Sequence, residues 1–462
     1  MDERHLTSEG TPLLSIQRAY FETGVTLPCS ARRTALRNLE TAILRHKEAL
    51  LSALQQDLGK SKTEGYISEI GLLLREIRYI RKRLSGWMRP ERRRTPLSNF
   101  PGRQWVERHP YGVVLVLAPW NYPVLLTLSP LVGALAAGNC CVLKPSELAP
   151  ATAEVLATLI EECFPKAYVA VVNGGIEVSQ ELLEQPFNYI FYTGNGRVGR
   201  YVMERAAQHL TPVTLELGGK SPVIVTRTAS LRQAARRIVF GKYLNCGQTC
   251  IAPDYILVEA CVHAEFVRCL QEEIVSQYGE HPLRNRHYGH IIHTGHYERL
   301  KGLLLPDKVV WGGETNDETL QISPTLLDNV PADAPIMQEE IFGPLLPILE
   351  VETVEAAIDF VRSRPHPLAL YLFTNEAMWE RRVMHELSFG GGCINDVLSH
   401  IASVNLPFGG VGASGMGAYH GRSSFDTFSH TKSILKRGTW WDPRFRYAPY
   451  SAFTRWLLRK VA

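Results

Sequence analysis

Three short phrases in this 462-residue chain carry side chains able to do covalent or proton-transfer chemistry. NCGQTCIAPDY places Cys250 after an apolar helical stretch, among small and polar residues, with Cys246 four positions earlier. Such a thiol is either a nucleophile or an inert small core residue. A nucleophile would need activation, because a thiol of pKa about 8.5 is only a few per cent thiolate at neutral pH. TLELGGKSP ends an apolar strand in Glu216 just before Gly218 and Gly219. That carboxylate reads as a ribose ligand or as a buried acid paired with Lys220. YIFYTGNGRVGRYVMERAAQHL runs from a hydrophobic strand through Gly194, Asn195, Gly196, Arg197, Val198 and Gly199 into a helix. A GxGxxG in that setting brings backbone N–H groups and a helix N-terminus to a pyrophosphate, and its alternative is an ordinary tight turn.

These phrases stand in a longer order. LAPWNYP (Leu117–Pro123), VLKPSE (Val142–Glu147), the glycine loop, TLELGGKSP, GQTC (Gly247–Cys250), QEEIFGP (Gln338–Pro344) and PFGGVGASGMGAYHG follow one another. Together they resemble the NAD(P)-dependent aldehyde dehydrogenase superfamily. GQTCIAPDY, and SFDTFSH after GMGAYHG, look most like its class 3 branch, which acts on aromatic and medium- to long-chain aliphatic aldehydes. The resemblance runs from about residue 15 to about residue 437.

The resemblance implies a role for each matched residue. Cys250 would be the nucleophile, Asn121 and the Cys250 N–H the oxyanion donors, and Glu216 the base for water. The cofactor, NAD or NADP, would rest its pyrophosphate on Gly194, Asn195, Gly196, Arg197, Val198 and Gly199. Its riboses would meet Lys144, Glu147 and Glu340, with Phe342 beside the nicotinamide ribose and Trp120 lining the path. Looser similarity puts Tyr66, Tyr122, His400, Ile401 and His420 in a substrate tunnel. Asn195 and Gly196 stand where the family commonly has Ser or Thr after the first glycine, which puts one hydroxyl contact to phosphate in doubt. Cys246 is a packed free thiol or, alternatively, half of a regulatory disulfide with Cys250.

The elements that must position these groups follow from periodicity. Apolar residues at helical spacing through TALRNLETAILRHKEALLSALQQDLGK and YISEIGLLLREIRYIRKRLSGWM give an N-terminal helical layer. Strands at 113–117, 140–143, 169–172, 189–192 and 213–217 alternate with helices, the signature of a parallel sheet. A second alternating block begins at Pro222. Between His109 and Lys144 no residue is charged, but Pro119, Asn121, Pro123, Pro130 and Asn139 divide the stretch into strand, WNYP loop, a short helix LSPLVGALAAG and strand. The expected fold is therefore α/β, with two Rossmann-like parallel-sheet domains and a small β bridging element. Residues 1–97 and 112–215 would bind the cofactor and 216–395 would be catalytic. Residues 98–111 and 396–437 would form the bridge and the glycine-rich segment, leaving 438–462 as a tail. In the family the bridge joins two subunits, so a homodimer is implied.

Composition excludes several other classes. Hydrophobic residues are 45% and charged residues 21% of the chain, which suits a large core rather than disorder. A net charge of +4 does not call for a nucleic-acid partner. Nine cysteines without a CxxC pair argue against a disulfide framework and against a metal site. The opening MDERHLTSEG lacks a basic n-region leading into an apolar h-region, so a cytoplasmic protein is expected. The tail interleaves Trp440, Trp441, Phe445, Tyr447, Phe453 and Trp456 with Arg and Lys. Packing of those aromatics on their own subunit is the expectation, and peripheral membrane contact the alternative. Aldehyde oxidation has three rivals. One is an acylating relative whose thioester goes to phosphate or coenzyme A, against which Glu216 argues. Another is a non-redox cysteine acyl-transferase or esterase using only Cys250 and the oxyanion donors. The third is a catalytically silent scaffold or membrane-interaction protein that kept the fold, against which Cys250, Glu216 and Asn121 argue.

Overall fold

The computed structural model describes residues 12–461, so the expectation about the first residues lies outside it. The helical layer forms as its periodicity predicts, in Cys29–Arg45, Lys47–Leu58 and Gly71–Trp87. Leu36, Leu39, Ile43, Leu54 and Ile77 on their inner faces are wholly buried. The first helical run breaks at His46, whose ring meets the Glu162 carboxylate at 2.9 Å. Between Gly65 and Gly71 the helix widens into a π-helical turn, Tyr66–Ile70, which sequence periodicity does not reveal.

One sheet has six strands. Val113–Leu117 lies near its middle, with Cys140–Lys144 and Val169–Val171 on one side. Tyr189–Thr193 and Val213–Glu216 lie on the other, all parallel. Val113–Leu117 and Cys140–Lys144 are buried along their whole length, as strands covered on both faces must be. The outermost strand is Gly415–Met416, antiparallel to Val213–Glu216, and it brings the glycine-rich segment alongside Glu216. A second sheet runs Val309–Trp311, Thr325–Asp328, Leu345–Val351, Tyr255–Glu259, Pro222–Val225, Ala369–Phe373, Gly391–Ile394. Only its first pair is antiparallel. The third sheet is Glu91–Arg93, Gly102–Pro110 and Ser429–Arg437, with the last two paired antiparallel along their full length.

Two local expectations are corrected. The helix after WNYP runs over Pro123–Ala137 and so starts at Pro123, not Leu128. Proline suits the first helical position because it has no N–H to satisfy. A remote acid does the rest, with Glu69 Oε2 accepting from Val124 N at 2.9 Å and Leu125 N at 3.1 Å. The tail does not pack its aromatics away: Trp440 is 73% and Phe453 61% exposed, although Trp440 meets the Phe100 ring edge-on at 5.9 Å. Phe445 has its side chain outside the described set. Among the described residues no helix is long and apolar enough to cross a membrane.

Candidate active site

The segment before Cys250 is held in a conformation that side chains rarely adopt. Asn245 and Cys246 have φ of 52° and 53°, in the left-handed region that disfavours residues with a Cβ. Several buried bonds hold them there. Glu64 Oε1 accepts from Asn245 N at 2.8 Å. Gln248 Nε2 donates to the carbonyls of Asn245 and His290, each at 3.0 Å, and its Oε1 accepts from Ile292 N at 3.0 Å. Gly247 has φ of 74°, and a Cβ there would run into the Gly343 carbonyl, so no other residue fits. Thr249 and Cys250 are thereby fixed on the wall of a cavity of about 290 Å³.

That cavity brings together groups from both large sheets. Glu216 ends a strand of the first sheet, Cys250 precedes a strand of the second, and both line it. Burial pushes the Cys250 thiol pKa up, and the Glu340 and Glu216 carboxyls push it the same way. The N–H groups of Cys250 and Ile251, directed at the sulfur, act in the opposite sense. Cys250 is therefore a thiol at rest and needs a base, as the sequence argument requires. Glu216 is buried with neither carboxyl oxygen hydrogen-bonded among the described residues, and burial alone raises its pKa well above the ordinary range. The alternative pairing with Lys220 is not formed, because Lys220 binds Asp254 and the carbonyls of Ile336 and Glu339 instead. Asn121 Nδ2 donates to Gln248 O at 3.0 Å, beside the Cys250 segment. A carboxamide nitrogen carries two protons, so a second is left over for another acceptor.

On the cofactor side the helix Gly196–Gln208 is capped by Asn195, whose Oδ1 accepts from Val198 N at 3.0 Å. The N–H groups of Gly196 and Arg197 belong to the first helical turn and find no acceptor within the helix. Gly196 faces open space and Gly199 packs on Leu217. Lys144 Nζ, at the end of its strand, is 2.6 Å from Glu147 Oε2. The Glu340 carboxyl lies against Gly218, where any side chain would displace it, and burial lifts its pKa to about 8, with Asp254 adding to the rise. Phe342, at φ 53°, meets Trp120 edge-on at 5.4 Å. His296, which sequence reading missed, joins this aromatic group and bonds the Phe342 carbonyl at 2.8 Å. Burial lowers its pKa to about 4, so at neutral pH it is uncharged and donates its Nε2 proton. An open helix N-terminus, a cation at a strand end and an aromatic wall fit a dinucleotide.

Of the proposed tunnel residues, Tyr122 and Ile401 line the cavity and the other three do not. Tyr66 is exposed at the start of the π-helical turn, and Ile67 and Ser68 line the cavity in its place. His400 stacks on Phe408 at 6.0 Å and His420 lies 4.3 Å from Tyr419, so both sit behind the aromatic residues that form the wall. Phe408 and Tyr419, aromatics inside the glycine-rich phrase, line the cavity as well. Cys246 is a free, buried thiol whose pKa burial raises.

A dinucleotide-type sheet and a cysteine-bearing sheet that meet at one cavity define an α/β dehydrogenase with a thiol at the junction. The chain belongs to the aldehyde dehydrogenase family, which it matches over residues 15–434. It is 47% identical over 435 residues to the 4,4'-diaponeurosporen-aldehyde dehydrogenase of Staphylococcus aureus (strain NCTC 8325 / PS 47), covering 94% of this chain and 95% of that one. It is 45% identical to aldehyde dehydrogenase family 3 member A2 of Rattus norvegicus, over 94% of this chain and 90% of that one. The substrate-bound structure of Staphylococcus aureus AldH superposes with a TM-score of 0.95 at 45% identity, over 97% of this chain and 99% of that one. More distant solved members are complexes with NAD+ or with NADP. The protein is accordingly an aldehyde-oxidising enzyme that uses a nicotinamide cofactor.

Proposed function

We propose that Cys250 is the nucleophile, Asn121 an oxyanion donor and Glu216 the base that activates water. The carrying observation is that Cys250 and an unpartnered, buried Glu216 share one cavity. Cys250 Sγ forms a C–S bond to the aldehyde carbon, its proton leaves to solvent water, and the carbonyl electrons become an oxyanion. Asn121 Nδ2 and the Cys250 N–H donate to that oxygen; one such donor contributes about 3–4 kcal/mol to the transition state. A bound nicotinamide would supply the hydride acceptor for this oxidation. The acyl group is then a thioester on Cys250, and Glu216 takes a proton from the water whose oxygen adds to it. The C–S bond breaks, the acid leaves, and Cys250 regains its proton. Lys144, Glu147, Glu340, Phe342, Trp120 and the loop Gly194–Gly199 would hold the cofactor, with the cofactor unit on 1–97 and 112–215 and the catalytic unit on 216–395.

The substrates we propose are aromatic and medium- to long-chain aldehydes. Leu125, Leu126, Val397, Leu398 and Phe408 make the wall almost wholly apolar, and Ile67 and Phe240 are both cavity-lining and surface-exposed, so they form its mouth. Each methylene buried there is worth about 0.8 kcal/mol, roughly fourfold in kcat/KM. Steady-state rates from ethanal to octanal should climb at about that step until the chain reaches the mouth. A flat profile would contradict an apolar tunnel. The same panel run with each cofactor decides between NAD and NADP. Glu147 opposes a 2′-phosphate, but Lys144 neutralises it and Arg197 is close in sequence, so use of both is expected.

The bridging sheet ends in Ser429–Arg437, an edge strand free to extend across a subunit interface, and we assign a homodimer to it. Sedimentation at a single-chain mass would refute that. The exposed tail aromatics among Arg444, Arg446, Arg455 and Arg459 suit the surface of an anionic bilayer. In flotation with anionic vesicles, the full chain should rise with lipid, and a chain ended after Gly438 should not. Equal flotation of the two chains rules the tail out.

A further inference from the structure

The helical layer reaches into the active site through a buried charge that the reaction outlined above does not use. Lys60 is 1% exposed and its ammonium has three protons to place. It binds Glu69 Oε1 at 2.6 Å and the backbone carbonyl of Asn121 at 2.8 Å, and it lies 3.9 Å from the centre of the Tyr122 ring. Glu69 is equally committed, since its other oxygen holds the first N–H groups of the helix that follows Asn121 and Tyr122. The Asn121 carbonyl also accepts from Asn245 Nδ2 at 2.8 Å, which ties it to the segment before Cys250. Both ends of Asn121 are thus fixed, the backbone by Lys60 and Asn245, the side chain by the Gln248 carbonyl.

We infer that Lys60, clamped by Glu69, is a positioning residue for the oxyanion donor: by holding the Asn121 carbonyl it aims the Asn121 amide. A buried ion pair is a poor way merely to stabilise a fold, because desolvation offsets most of its attraction. This pair instead fixes the peptide on which the amide is carried and the start of the helix behind it. The inference rests on Asn121 being the oxyanion donor. A misplaced donor loses most of its effect even when the fold survives.

The test reads Cys250 acylation by p-nitrophenyl acetate without cofactor. Sγ adds to the ester carbon through the same oxyanion, p-nitrophenolate leaves, and the acetyl group stays on sulfur. The paired variant Lys60→Met with Glu69→Gln removes both charges but keeps an oxygen acceptor for the Val124 and Leu125 N–H groups. It should acylate about 30-fold more slowly than the parent. Asn121→Ala should be slower by about 100-fold or more. In the Asn121→Ala background the same pair should cost less than about threefold, because no amide is left to aim. A folded paired variant within about threefold of the parent, or one with the same loss in both backgrounds, overturns the inference. If the methionine variant does not fold, Lys60→Gln with Glu69→Gln takes its place, since that amide ends short of the carbonyl and carries the same expectations. Should Asn121→Ala itself acylate at the parent rate, the oxyanion reading fails first and the positioning role with it. A slow Asn121→Ala beside a fast paired variant refutes the positioning role alone.

Discussion

Replacing Cys250 by alanine should remove aldehyde oxidation by about 10⁵-fold, since loss of a covalent nucleophile leaves only binding and oxyanion donors to act. The change is small in volume and Cys250 is only half-buried, so folding and cofactor affinity should stay near those of the parent. Stopped-flow NAD(P)H formation and cofactor fluorescence titration, run on one preparation, check both halves. Cys246 offers no substitute, because it is sealed in the interior with its thiol pKa raised by burial. A Cys250→Ala chain that still oxidises hexanal at a tenth of the parent rate would place the chemistry elsewhere.

The second large effect separates two steps. Glu216→Gln should still release a burst of close to one NAD(P)H per subunit, then turn over about 10²–10³-fold more slowly, the usual scale of a lost general base. In the parent, kcat should fall as pH drops through the raised pKa of Glu216, because its protonated form cannot accept a proton from water. That limb should vanish in the variant. The stability effect has the opposite sign. The unfolded chain ionises this carboxyl near pH 4.3, as model peptides do, while the native carboxyl holds its proton to higher pH, about 4.3 being only the lower bound of the window. Native stability is therefore lost as pH rises across that window and stays reduced above it. Glu216→Gln should raise Tm above the window, with the gain shrinking toward zero at more acidic pH. A variant that is both slower and less stable at neutral pH would mean that Glu216 is structural.

How far the sequence carried depended on how local each determinant is. Val113–Leu117 and Cys140–Leu143 are continuous apolar runs between turn signals, and both form as strands, the second extending to Lys144. The glycine loop opens a helix as its spacing requires. That Glu216 stays without a partner was beyond local reading, since Lys220 is near in sequence but is drawn to Asp254 by the fold. The start of the helix at Pro123 depends on Glu69, which belongs to another helix. Tyr66 stands outside the cavity because its π-helical turn places the neighbours Ile67 and Ser68 on the lining instead. The Lys60 clamp was invisible because the carbonyl it holds belongs to Asn121, far along the chain, although Glu69 is near.

The central claim is that the acyl group is carried on Cys250 and released by Glu216. Glu216→Gln mixed with hexanal and cofactor, quenched in acid after the burst and digested, should show a hexanoyl mass increment on the peptide holding Cys250, in proportion to the NAD(P)H formed. NAD(P)H formation with no acyl increment on that peptide, or with the increment on another residue, would contradict it.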